Sequence, residues 1–62
     1  MGECEQIEIA RYHREIVEDL RHMLKKYVRI MERDVPEVDE QAARALVMQA
    51  LKDSLVEVET HP

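Results

Sequence analysis

The chain has 62 residues, with 9 Lys and Arg against 14 Asp and Glu, a formal net charge of −5, and 37% of its residues charged. One Gly, two Pro, two Tyr and no Phe or Trp argue against a β-sandwich, a barrel or a collagenous chain and point to long helices. A domain this small buries only about 60% of the surface its unfolded chain exposes, and the single Cys4 cannot close an internal disulfide, so the expectation is an all-α protein that folds by associating.

At the N-terminus, Met1-Gly2-Glu3-Cys4-Glu5 is acidic and lacks an apolar signal core, and Gln6 stands where a myristoylation signal wants Ser or Thr. The run Ala45-Leu46-Val47-Met48 stops at Gln49, far short of the roughly 20 apolar residues that span a bilayer. These features predict a soluble, cytoplasmic protein with no membrane partner, and a lone cysteine suits a reducing compartment.

A first helix is expected over about residues 5–33. Ile9, His13, Ile16, Leu20, Met23, Tyr27 and Ile30 alternate in steps of four and three, the seam of a heptad repeat, and Ala10, Val17, Leu24 and Met31 run beside them. A stripe this wide faces more than one neighbour, as in a four-helix bundle. Pro36 breaks the helix, since it removes a hydrogen bond and crowds the preceding turn. A turn over about 34–37 then leads to a second helix over about 38–58, with a later start capped by Asp39 as the alternative. Two such helices form an antiparallel hairpin and one domain over 1–62.

In the second helix, Ala43, Val47, Ala50, Leu51, Ser54 and Val58 share an arc flanked by Leu46 and Leu55. The small residues Ala43, Ala50 and Ser54 near its middle favour close approach of another helix backbone. Met48 and Val56 fall towards the opposite side, as exposed apolar residues or part of a further contact surface. The predicted fold is therefore a two-helix hairpin associating as a homodimeric four-helix bundle. Its dimer or core interface comprises Ile9, His13, Ile16, Leu20, Met23, Tyr27, Ile30, Ala43, Val47, Ala50, Leu51 and Ser54. Periodicity leaves the relative direction of the two hairpins open.

Catalytic chemistry finds no footing in the sequence. Ser54 and Thr60 have no histidine nearby in the chain, Cys4 has no adjacent base or clustered positive charge, and no Gly-rich phosphate loop exists. Asp19 and His22 have the carboxylate-x-x-histidine spacing of di-iron bundles, but in the register of the apolar stripe His22, Glu15 and Glu18 point to solvent. Glu15, Glu18, Glu37 and Glu40 read as a solvated acidic face. His13 reads as a core histidine, with metal binding as its alternative. No catalytic residue, metal site or cofactor is expected.

Arg14, Arg21, Lys25 and Arg29 gather on the outer face of helix one, where they either solubilise the helix or contact an anionic partner, protein or nucleic acid. Residues 35–62 hold only Arg44 and Lys52 against six acids. A hairpin of this length with Asp39-Glu40-Gln41-Ala42 early in its second helix resembles, in plan, the Rop family of plasmid copy-number regulators. That resemblance implies an antiparallel four-helix bundle that recognises paired RNA loops through the first-helix face. The chain departs from the family there: Tyr12 and Tyr27 lie beside or within the apolar stripe, and the outer face is Arg, Lys and Glu. The expected function is that of a small non-enzymatic interaction or regulatory homodimer, with an RNA- or DNA-binding regulator of Rop-like plan as the alternative.

Overall fold

The computed structural model describes residues 3–62, with side-chain environments from residue 4, so the reading of Met1 and Gly2 lies outside the described residues. Two helices, α1 (Glu3–Asp34) and α2 (Glu40–Thr60), pack against each other as a hairpin. Neither is long and apolar enough to cross a membrane.

Pro36 sets the turn. The last bond of the α1 ladder runs from the Val35 N–H to the Met31 carbonyl at 2.7 Å, which places the proline one residue beyond the helical hydrogen bonding. Val38 N–H then donates to the Val35 carbonyl at 3.0 Å, closing a four-residue turn with Pro36 at its second position, where a φ fixed near −65° is favoured.

The second helix begins two residues later than the position 38 first assigned to it. Asp39 is in extended conformation, and its carboxylate accepts from the Ala42 N–H at 2.7 Å, so it is the N-cap, as in the alternative of a later start. Val38, just before the cap, packs on the core cluster that contains Ala43, four residues into the helix. This is a hydrophobic staple, and it fixes the angle at which the chain enters α2.

The core is small: Leu24 and Val28 of α1 and Ala43 and Val47 of α2, with Met31, Val38 and Leu51 packed around them. Ala43 is fully buried, and its single methyl group lets the two helix backbones approach at the turn end. Toward the other end α2 finishes with Glu57 and Glu59 and no basic residue in its last turn, so the negative end of its dipole meets like charge.

Shape follows from helix length. At about 1.5 Å per residue, the 32 residues of α1 outrun the 21 of α2 by about 16 Å. The molecule measures 51 × 23 × 14 Å, with a radius of gyration of 15.2 Å, against about 10.5 Å for a compact chain of this size.

Because the Asp39 cap both satisfies a backbone donor and anchors the staple, Asp39→Ala is expected to lower stability by about 1 kcal/mol. Thermal melting followed by circular dichroism at fixed protein concentration checks this, and an unchanged melting temperature would refute the capping role.

Candidate functional site: the uncovered face of the hairpin

The side of α1 that meets α2 is not the centre of its apolar stripe. Leu24, Val28 and Met31 make the contact, whereas Ile9, Ile16, Met23 and Tyr27 remain exposed. At about 100° per residue, these two sets point about a quarter turn apart on the helix. One apolar side of α1 is thus satisfied within the chain and the other is left open.

The open side continues onto α2. Met23, Tyr27 and Ile30 of α1, with Val47, Ala50, Leu51 and Ser54 of α2, line a groove of about 530 Å³ that runs along the hairpin near the turn. These seven belong to the interface set expected from the sequence, whereas Met31, Asp34 and Val35, which complete the lining, do not. Ala50 and Ser54 are the small residues of this lining. The Ser54 hydroxyl donates to the Ala50 carbonyl at 2.7 Å, so its hydrogen-bonding proton is already used within α2 and covering Ser54 strands no donor.

The twelve expected interface residues fall into three groups. Ala43 and Val47 are buried between the helices, and Leu20, Ile30 and Leu51 are half-buried. Ile9, His13, Ile16, Met23, Tyr27, Ala50 and Ser54 are exposed, with Ile16 at 54% and Tyr27 at 46% of full accessibility. Within the single chain His13 is a surface residue, flanking a shallow hollow with Gln6, Ile9, Ala10 and Arg14. Sequence reasoning missed Val28 and Val38 as core members. Val28 sits between the Leu24 and Met31 turns of the flanking row, and that i, i+4, i+7 spacing was the available signal.

A second, narrower apolar groove opens on the other side of the hairpin, lined by Val17, Leu20, Leu24, Met48, Leu51 and Leu55 with Arg21 and Lys52 at its edge. Met48 is therefore part of a groove surface shared with α1, while Val56 stands exposed.

The basic side chains lie elsewhere. Arg14, Arg21, Lys25 and Arg29 are exposed and fall on the side of α1 opposite Ile16, Met23 and Tyr27. Arg21 donates to Glu18 at 2.7 Å, and Lys25 and Arg29 share a shallow surface with Glu32, Glu40 and Arg44. The strip is interleaved with carboxylates rather than uniformly positive. On the neighbouring side, Lys26 lies over the Tyr27 ring at 5.4 Å, its aliphatic stem edging the apolar face. Among the described residues, no three His, Cys, Asp or Glu side chains converge as a metal site.

No family model, curated protein or solved structure matches the chain.

The contrast between these surfaces has a measurable consequence. Leu24→Ala, which empties the buried contact, is expected to cost about 2–5 kcal/mol. Arg21→Ala, which deletes an exposed ion pair, is expected to change stability by less than about 1 kcal/mol. Urea denaturation of the two variants at one protein concentration separates them, and equal losses would contradict the assignment of the core.

Proposed function

We propose that the chain works as a homodimeric helical bundle, two hairpins docked through the open apolar face, in a non-catalytic interaction or regulatory role in the cytoplasm. The observation that carries this reading is exposed area. The isolated hairpin exposes 5620 Å², whereas a compact monomer of 7.3 kDa exposes about 4,200 Å². The surplus exceeds the roughly 800 Å² per partner buried in a standard stable interface. It also includes exposed large apolar side chains, Ile9, Ile16, Met23 and Tyr27 among them, aligned along one side of α1 rather than scattered.

Helix geometry supports the same reading. In a four-helix bundle each helix touches two neighbours about a quarter turn apart, which is the separation between the α2-facing row of α1 and its open seam. A non-catalytic role is favoured because the dominant feature of the surface is apolar and shallow, with polar groups at its margins.

The nucleic-acid alternative draws less support. Docking through the seam leaves Arg14, Arg21, Lys25 and Arg29 of each copy on the outside and on separate sides of the bundle. They then form two weak strips broken by Glu18 and Glu32, not one continuous phosphate-binding surface.

Sedimentation equilibrium at micromolar concentration is expected to give twice the 7.3 kDa chain mass, and a well-folded monomer would overturn the reading. Ile16→Glu, which puts a carboxylate in the middle of the docking face, is expected to weaken association at least about tenfold. Titration with structured RNA and duplex DNA at two salt concentrations tests the alternative: tight binding that falls steeply with salt would replace self-association as the primary role.

A further inference from the structure

The direction in which the second hairpin docks follows from the length and charge of α1. We propose that two copies pair antiparallel, so that the overhanging N-terminal part of each α1 lies along the C-terminal half of the partner's α1, beside the groove edged by Met23, Tyr27 and Ile30. The inference rests on the homodimer reading and adds to it an orientation and an occupant for that groove.

Overhang is the first argument. α2 is 11 residues shorter than α1, and α1 extends past it at the N-terminal end, where Ile9 (56% exposed) and Tyr12 have no α2 segment beside them. In a parallel dimer both overhangs project from the same end of the bundle, beyond both copies of α2. In an antiparallel dimer each overhang reaches the end of the bundle where the partner's groove is open.

Charge is the second. Residues 4–19 carry Glu5, Glu8, Glu15, Glu18 and Asp19 against Arg11 and Arg14, whereas residues 20–34 carry Arg21, Lys25, Lys26, Arg29 and Arg33 against Glu32 and Asp34. One half of α1 is net negative and the other net positive. Antiparallel pairing sets unlike halves together twice and opposes the helix dipoles favourably; parallel pairing sets like against like. Part of this charge is committed within α1, in the pairs Arg11–Glu8, Arg21–Glu18 and Arg33–Asp34. Beside the seam, Glu5 and Asp19 on one half and Lys26 on the other make no ion pair among the described residues.

Full overlap of two 32-residue helices puts the two-fold axis near residues 18 and 19. Ile9 then falls beside the partner's Tyr27, Ile16 beside the partner's Leu20, and Glu5 near the partner's Arg33, which keeps the seam in knobs-into-holes register.

Cys4 is the chain's single cysteine and is exposed, so the unmutated protein can be spin-labelled there and the distance between labels measured by pulsed electron paramagnetic resonance. Antiparallel pairing separates the two Cys4 residues by about 43 Å along the bundle, which predicts a distribution centred at about 40–50 Å. Parallel pairing sets them level, within about 25 Å of each other. A dimeric mass with the short distance overturns the antiparallel arrangement and leaves the homodimer standing; a monomeric mass for the same labelled sample, in a chain that remains folded, overturns both.

Discussion

The contact of Leu24 and Val28 with Ala43 and Val47 is the constraint on which the rest of the structure depends. These four side chains are the only buried ones among the described residues, and they decide the azimuth at which α2 sits on α1. Had α2 docked on the centre of the stripe, over Ile16, Met23 and Tyr27, one helix would have covered most of the apolar surface and left a closed hairpin. By docking on the flanking row it covers one side and leaves the seam free. A domain with so small a core cannot draw much stability from burial within one chain, so the free seam and the thin core have one remedy in common. Folding coupled to association also makes stability depend on concentration.

Much of this architecture was legible in the residues themselves. Pro36 ended the first helix within a residue or two, because a missing N–H and a ring clash are local effects that no packing can override. The heptad steps from Ile9 to Ile30 and the width of the stripe followed from periodicity alone. The azimuth was not legible. Whether Leu24 or Met23 meets α2 depends on how closely two particular backbones approach, which is set by the methyl group of Ala43 and by the entry angle imposed by Val38 and Asp39. Val28 was missed for the same reason: it lies at the edge of the stripe and becomes core only once α2 stands on that edge. The choice between a start at 38 and a later one capped by Asp39 likewise turned on whether the Asp39 carboxylate reached a free N–H, and it did.

The site divides along the same line. Met23, Tyr27, Ile30, Val47, Ala50, Leu51 and Ser54 could be grouped from sequence as apolar or small positions on two helices, and the fold gathers all seven around one groove. Single-helix patterns do not show that Ala43, grouped with them, is consumed inside the hairpin while Ala50 and Ser54 face outward. The small-residue arc of α2 thus divides: its turn-end member, Ala43, brings α1 close, and its later members, Ala50 and Ser54, stay exposed beside the seam.

That division bears on why an acidic protein keeps a basic strip. Arg14, Arg21, Lys25 and Arg29 are placed as far from the seam as α1 permits, so they neither compete with apolar docking nor suffer desolvation when the seam is covered. Lys26 is the exception at the margin: its ammonium lies over the Tyr27 ring at 5.4 Å, a cation–π contact at the edge of the apolar surface. A surface arranged to bind phosphates has the opposite logic, with cations converging and carboxylates excluded. Here Glu18 neutralises Arg21, and Glu32 and Glu40 stand beside Lys25 and Arg29. The charge pattern of α1 varies more strongly along its length than around its circumference, and a gradient along a helix acts on the direction in which another helix lies against it.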